Sequence, residues 1–406
     1  MRILFLVHQF MPDFAAGTER VTLNLAKAAQ SQGHRVEILT VSQKAGEGWR
    51  PSADGLLESM IEGVPVTAIH GVERPLIDLG FVPDARLGAT MVRFLKSRPD
   101  FDVAHVTHAM RLTDALEALA DTRLPYIITL TDYFTLCHRL TLIQVDGKVC
   151  AGPEGGAACR TACPGHGLGE AAPAERLARY RRILERASAV VAVSHHAAQR
   201  IRSEHRGLHV RVIRNGVDLL GFRPRISPRS NGPITIGYLG TISQAKGVLM
   251  LARAFAAAGP IEARLRLVGP VAEPEVAAEL AQLAQGSAIS VEGPVEPARV
   301  ADLLREFDLL ATPSQWPETF CLSLHEGFAA GLPALVSDLG NPGETIRASG
   351  AGRAIDAADV DAWTREIAEV ARRPEQIDAW AKAIPLPQRV EEEAFLYSQL
   401  YQAAIG

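Results

Sequence analysis

The chain begins a strand–loop–helix–strand unit twice, once at residue 3 and again at residue 234, and this repeat constrains the fold more than any other feature. The apolar run over 3–7 reads as a buried first strand. It is short, is followed by His8 and Gln9, and lacks the small-residue cleavage site of a secretory leader. A loop over 8–18 leads to a helix from about 19 to 32 that Gly33 ends, and the next strand lies over 36–40. The second unit runs strand Ile234–Leu239, loop 240–247, helix 248–258 and strand 264–268. Parallel neighbours need a crossover, so each unit implies a parallel sheet with its ligand crevice at the carboxyl ends of the strands. The expectation is two doubly wound α/β domains, and 406 residues are enough for two separate cores.

Between the two openings, strands are expected over 64–69, Val103–Val106 and Tyr126–Leu130, with helices near 86–97 and 111–120. Asp102-Val-Ala-His-Val-Thr-His108 puts His105 and His108 at the end of a core strand. A ligand-facing histidine belongs there, whereas a lone histidine elsewhere is usually structural. Gly17 stands at the first strand-to-helix turn, where it either lets the backbone approach a ligand or simply turns the chain; no full Gly-x-Gly-x-x-Gly surrounds it. The stretch 222–233, with Pro224, Ser227, Pro228, Ser230, Asn231 and Gly232, is the most linker-like in the chain. The domains are therefore placed at 1–220 and 221–386. A helix within 387–406, with Phe395, Leu396, Leu400 and Tyr401 as its apolar residues, is expected to dock back on the first domain.

Glu318 and Glu326 stand eight positions apart in a stretch that reads as a strand end, a loop and a buried helix ending at Gly331. The amides of Phe320, Cys321 and Leu322 lie near the start of that helix. A helix N-terminus gathers unpaired N–H groups at the positive end of the dipole and so suits phosphate. Lys246, in the loop after the first strand of the same domain, offers a cation for the same anion.

Cys137, Cys150, Cys159 and Cys163 fall in an irregular Gly- and Pro-rich insertion over about 131–170, and Cys321 lies far from them. A structural zinc site with four thiolate ligands is the first reading, with His138 or His166 as a substitute ligand. Disulfides, an iron–sulfur cluster and four reduced thiols stay open. Residues 1–215 carry 26 Lys and Arg against 22 Asp and Glu, so the remainder must be about −8 to give the net −4. That asymmetry, with a basic helix over 174–187, admits contact with an anionic membrane surface, although a solvated helix face is the commoner case. No apolar run approaches the roughly 20 residues needed to cross a bilayer. A cytoplasmic chain, peripheral at the membrane at most, is expected.

Taken together, Lys246, Asn215-Gly-Val-Asp218, Pro313-Ser314, the Glu318/Glu326 pair and Gly331-Leu-Pro-Ala-Leu-Val-Ser-Asp338 resemble a GT-B glycosyltransferase of the family 4 type. The resemblance covers essentially the whole chain and is densest over 212–345. It implies two Rossmann-like domains facing across a cleft, the first for the acceptor and the second for a nucleoside-diphosphate sugar, with glycosyl transfer that retains configuration. It also implies no catalytic metal and no nucleic-acid partner. Carried across, Glu326 would hold the donor ribose, Glu318 would lie against the donor sugar, and Lys246 with the amides of Phe320, Cys321 and Leu322 would take the charge of the departing diphosphate. Gly17 would lie close to the diphosphate, and His108 would sit near the transferred sugar as a hydrogen-bonding and orienting group. The four-cysteine insertion resembles one found in a subset of the family.

This chain departs from the pattern at Thr241, where the family often has an arginine, leaving Arg20 or Arg139 as candidate replacements. Ala16 and Thr131 stand where a glycine and a histidine are usual. The competing readings are a nucleotide-sugar epimerase and a noncatalytic sugar-nucleotide-binding subunit of the same fold. Base, sugar and acceptor are not legible, the acceptor being a glycan, a lipid-linked sugar or a small molecule.

Overall fold

The computed structural model describes residues 1–163, 168–224 and 232–406. They form two compact units, Met1–Gly216 with Arg389–Gly406, and Val217–Gln388. The chain leaves the first unit at Gly216, ahead of the Pro- and Ser-rich stretch where the sequence puts the boundary. Gly216 N–H donates to Glu393 Oε2 at 2.7 Å, which ties it to the C-terminal helix, whereas Val217 N–H donates to the Gln388 carbonyl at 2.8 Å inside the second unit. Residues 225–231 of that stretch, like His166 of the insertion, lie outside the described residues.

Nine strands of the first unit make one sheet among the described residues. They are β1 (Arg2–Leu6), β2 (Arg35–Ser42), β3 (Arg50–Pro51), β4 (Leu57–Ile61), β5 (Val64–His70), β6 (Val103–Val106), β7 (Tyr126–Leu130), β8 (Ala189–Ala192) and β9 (Val210–Val212). Their order is β3-β4-β5-β2-β1-β6-β7-β8-β9, parallel throughout except for the β3–β4 and β4–β5 pairs at one edge. The strand order reverses between β1 and β6, which pair with Leu6 opposite Val106. Side chains following those two strands therefore enter the crevice where such sheets bind ligands.

In the second unit β10 (Ile234–Leu239), β11 (Ala263–Val268), β12 (Ile289–Glu292), β13 (Leu309–Thr312), β14 (Ala334–Ser337) and β15 (Gly352–Ile355) form an all-parallel sheet in the order β12-β11-β10-β13-β14-β15. Its switch point lies between β10 and β13. Ile236, Leu265, Leu309, Ala311 and Leu335 are buried in its core, in keeping with a parallel sheet covered on both faces.

The C-terminal helix Val390–Ile405 belongs to the first unit and packs on the Gly17–Ser31 helix and on β6 and β7. Val390, Ala394, Tyr397 and Tyr401 recur at helical spacing on its buried face. Phe395 and Leu396, expected among its packing residues, point outward instead, since Tyr397 and Tyr401 fix the buried stripe. These tyrosines also settle the role of His105. Its Nδ1 lies 2.7 Å from the Tyr401 hydroxyl and its Nε2 2.8 Å from Thr129 Oγ1, which lies 2.7 Å from the Tyr397 hydroxyl. Burial pushes the imidazole down to about 3, so His105 is a neutral core residue.

The basic helix, Ala172–Arg186, turns much of its charge inward. Arg176 is 3% exposed among Phe81, Phe134 and Tyr180 and donates to the Leu79 and Phe134 carbonyls at 2.6 and 2.5 Å. Arg179 pairs with Asp114 and Glu117, Arg182 with Glu117, Arg181 with Glu185 and Arg186 with Asp121. The basic face read from the sequence is thus matched by acidic partners within the unit. No described helix is long and apolar enough to cross a membrane.

Candidate functional site

In the second unit the loops following β10 and β13 meet at the switch point. Gly247 ends the first loop with φ +71, and a Cβ there would lie 1.9 Å from the Pro313 carbonyl oxygen, so only glycine permits this approach. Gln315 N–H donates to the Ala245 carbonyl at 2.9 Å across the same seam. The contact sets Lys246 Nζ 2.9 Å from Glu318 Oε1 and 5.3 Å from the centre of the Trp316 ring. Ser314 Oγ also donates to Glu318 Oε1. Glu318 is 5% exposed and its backbone is clamped by the Gly340 turn, where a Cβ would meet the Glu318 carbonyl at 2.4 Å. Burial alone would push the Lys246 ammonium down, but the adjacent Glu318 carboxylate holds it above its ordinary value. The Lys246 ammonium is therefore held in its charged form at neutral pH.

The helix following this loop is Leu322–Ala329, shorter at its start than the apolar run from Phe320 suggests. Cys321, the residue before it, adopts φ 67 and ψ 83, a left-handed conformation that costs a residue with a Cβ about 1 kcal/mol or more. Its thiol is pushed up to about 12 by burial and by the Glu318 carboxylate, so it is neutral. Phe320 stacks on His325 with ring centres 4.1 Å apart. Leu322 and Glu326 are half-buried on the helix itself.

In the first unit Gly17 is the first residue of its helix, and a Cβ there would meet nothing within 4 Å. Nothing in the polypeptide requires glycine at this position, and its backbone is open to close approach. Glu19, two residues on, accepts from Ala16 N–H at 2.9 Å and is buried, which pushes its carboxyl up. His108 is buried, with Nε2 2.7 Å from Asp132 Oδ2 and Nδ1 accepting from Met110 N–H at 3.1 Å. The His8 ring lies against it, centres 3.9 Å apart, with Nε2 3.7 Å from Glu19 Oε1. Burial above all holds His8 well below the usual imidazole range.

Neither proposed replacement for the cation missing at Thr241 is idle. Arg20 pairs with Glu62 at 3.1 Å, and Arg139 Nε donates to the Ile143 carbonyl at 3.0 Å. Tyr238 donates its hydroxyl to the Thr241 carbonyl at 2.6 Å.

Cys137, Cys150, Cys159 and Cys163 are free thiols lining one small void with His138 and Leu142. Among the described residues no group of three or more His, Cys, Asp or Glu side chains is arranged to hold a metal ion. Burial, with the other three thiols adding, pushes Cys159 up to about 12, and Cys150 Sγ donates to the Gly152 carbonyl at 3.4 Å. Burial likewise pushes the Cys137 and Cys163 thiols above their ordinary value.

Residues 15–219 match the family described as Glycosyltransferase Family 4, and residues 222–385 match Glycosyl transferases group 1. The chain belongs to glycosyltransferase family 4. Among curated relatives, this glycosyltransferase is 28% identical over 222 residues to the D-inositol 3-phosphate glycosyltransferase of Rhodococcus erythropolis, a match spanning 48% of this chain and 50% of the relative. It is 24% identical over 380 residues to D-inositol 3-phosphate glycosyltransferase 1 of Catenulispora acidiphila, spanning 90% of this chain and 84% of that one. The chain spans about half the length of the first of these relatives. Both are transferases, which sets the epimerase reading aside.

Solved structures of the same fold include sucrose-phosphate synthase of Thermosynechococcus elongatus, with TM-score 0.72 and 16% identity over 99% of this chain and 98% of that one. HepE of Anabaena in complex with UDP-glucose gives TM-score 0.70 and 17% identity over 98% of each chain. The glycosyltransferase therefore has the GT-B fold, two parallel-sheet Rossmann-like domains. Sequence reasoning singled out Lys246, Glu318 and His108 but passed over His8, Glu19 and Asp132. His8 and Asp132 could have been found by counting, because each lies two residues beyond the end of its strand, as His108 does.

Proposed function

We propose that this glycosyltransferase moves a sugar, with retention, from a nucleoside-diphosphate sugar to a hydroxyl of its acceptor. The observation that carries this reading is the Lys246–Glu318 pair at the switch point of the second sheet, beside the start of the Leu322–Ala329 helix. A fixed cation and a helix N-terminus at one crevice suit a diphosphate, and both act most strongly on charge that grows as the diphosphate leaves. Glu326 would accept hydrogen bonds from ribose hydroxyls and Glu318 would face the donor sugar, while Phe320, Cys321 and Leu322 would bring backbone amides to the phosphates. Gly17 would leave the first unit's backbone open to close approach by a ligand.

In the step itself the bond from the anomeric carbon to the leaving phosphate oxygen breaks and a bond to the acceptor oxygen forms on the same face. The acceptor proton passes to the departing phosphate. No side chain need act as nucleophile. UDP sugars lead the donor list because HepE is described with UDP-glucose, and inositol 3-phosphate leads the acceptors because relatives carry that name.

The test is a thermal-shift screen of the chain and of Glu326→Ala against nucleotides and nucleotide sugars. A donor that raises the melting temperature only with Glu326 intact names the base and supports its ribose role, since a ligand binding only the folded state stabilises it by mass action. No shift with any nucleotide would overturn the donor assignment.

A further inference from the structure

Three neighbouring parallel strands, β1, β6 and β7, each carry a polar side chain two residues beyond their ends: His8, His108 and Asp132. Their hydrogen bonds decide which of them meets a ligand. Met110 N–H donates to His108 Nδ1, so that nitrogen carries no proton. The ring proton is then on Nε2 and is donated to Asp132 Oδ2 at 2.7 Å. Both ring nitrogens of His108 are occupied. Its side chain is 4% exposed, and the His8 ring lies against it. It has no hydrogen-bonding atom left to offer. Asp132 differs on each count. Its Oδ2 accepts from His108 and its Oδ1 from Phe134 N–H at 2.8 Å, but two carboxylate oxygens have about four acceptor positions, and the side chain is 18% exposed.

We infer that Asp132, rather than His108, is the side chain of the first unit that binds the acceptor, taking a hydrogen bond from one of its hydroxyls. This rests on the transferase reading above. His108 is a positioning residue that holds the carboxylate through its Nε2–H, and His8 holds the His108 ring by stacking. A carboxylate already receiving two N–H groups has room only for further donors. The cation whose field reaches Asp132, Arg176, is buried and donates to the Leu79 and Phe134 carbonyls, and Arg111 on the neighbouring loop is taken by Gln9 at 2.6 Å and by Asp78 at 3.6 Å. The ligand surface next to Asp132 is therefore a neutral polyol and not an anion.

The test uses the full chain with 13C-labelled aspartate, the Asp132 carboxyl signal being the one lost in Asp132→Asn. It is titrated with glycerol, myo-inositol and inositol 3-phosphate, while donor hydrolysis with water as acceptor is followed separately. The expected result is a shift of the Asp132 signal with at least one polyol. His108→Gln, whose amide can still donate to the carboxylate, keeps the shift, and His108→Phe weakens the polyol at least tenfold.

No shift with any of the three overturns the assignment, as does an equal loss in His108→Gln and His108→Phe, which would mean that the imidazole itself touches the ligand. Absence of donor hydrolysis and of donor binding would count against the transferase reading alone, because the polyol titration needs no donor.

Discussion

Lys246 Nζ lies 2.9 Å from Glu318 Oε1, a cation and a carboxylate brought together by two loops 72 residues apart in sequence. Removing the cation leaves Glu318 buried with the Ser314 hydroxyl still donating to it. Breaking such a pair from one side costs about 3–5 kcal/mol when fully buried, and less here because Lys246 keeps partial exposure. Lys246→Met is expected to lower the thermal midpoint and to cut transfer by about 100-fold or more. Glu318→Gln, which leaves unpaired only the Lys246 ammonium with its 30% exposed side chain, is expected to unfold closer to the parent while still losing activity.

Glu393 is fully enclosed in the first unit, and burial pushes its carboxyl up to about 8, against the pull of the Gly216 amide. The folded chain therefore holds this proton more tightly than the unfolded chain, whose glutamate titrates near 4.3. The sign follows from linkage: stability falls as pH rises from about 4.3 to about 8 and levels off above, at about 1.4 kcal/mol per unit for an isolated group. Glu393→Gln is expected to flatten this slope and to be the more stable protein at pH 8.5, with little difference at pH 4.5. Thermal midpoints across that range measure it; parallel curves would rule the effect out.

At Gly247 a methyl group has no room, and its φ of +71 adds strain for any other residue. Gly247→Ala is expected to cost about 2–4 kcal/mol, the range for overpacking combined with local backbone strain. Because the clash pushes the Lys246 loop away from Pro313, nucleotide affinity is expected to fall as well. Gly17→Ala is the control, since its Cβ meets no protein atom. It should leave stability within about 0.5 kcal/mol and affect only ligand binding.

The thiols of the insertion give a chemical readout. Cys159 is half-buried whereas Cys137, Cys150 and Cys163 are each below 9% exposed, so alkylation of the native chain is expected to mark Cys159 first. Peptide mapping after a short exposure to iodoacetamide shows the order. Equal protection of all four, released by a chelator, would instead indicate a bound metal.

The parallel strands were legible because a doubly covered strand is apolar on both faces; Val103–Val106, Tyr126–Leu130, Ile234–Leu239 and Ala334–Ser337 fall where the apolar runs predict. The β3–β4 hairpin was not, since Arg50–Pro51 is exposed at the sheet edge and Leu57–Ile61 beside it alternates half-buried and exposed residues, with little apolar signal. The helix Gly340–Ser349 hides behind a Gly-Asn-Pro-Gly opening that reads as a turn. In the site, Lys246 and Glu318 were visible because each sits in a loop at a strand end, but their contact depends on Gly247, whose close approach to Pro313 leaves no mark in sequence. His108 was found, but the contact that occupies its Nδ1 was not visible, for a related reason. The Met110 amide that occupies Nδ1 is backbone, and every residue but proline has one.

The return of residues Arg389–Gly406 to the first unit sets an order on synthesis. The first unit is begun first and completed last, because Tyr397 and Tyr401 close over His105 and Thr129 only after the whole second unit has been made. While the ribosome elongates through Val217–Gln388, the surface of β6 and β7 waits with a buried-type imidazole and its apolar neighbours still open to solvent. A nascent chain halted short of residue 401 would be a finished second unit joined to an unfinished first one, and that exposed sheet face is where a chaperone would be expected to hold it.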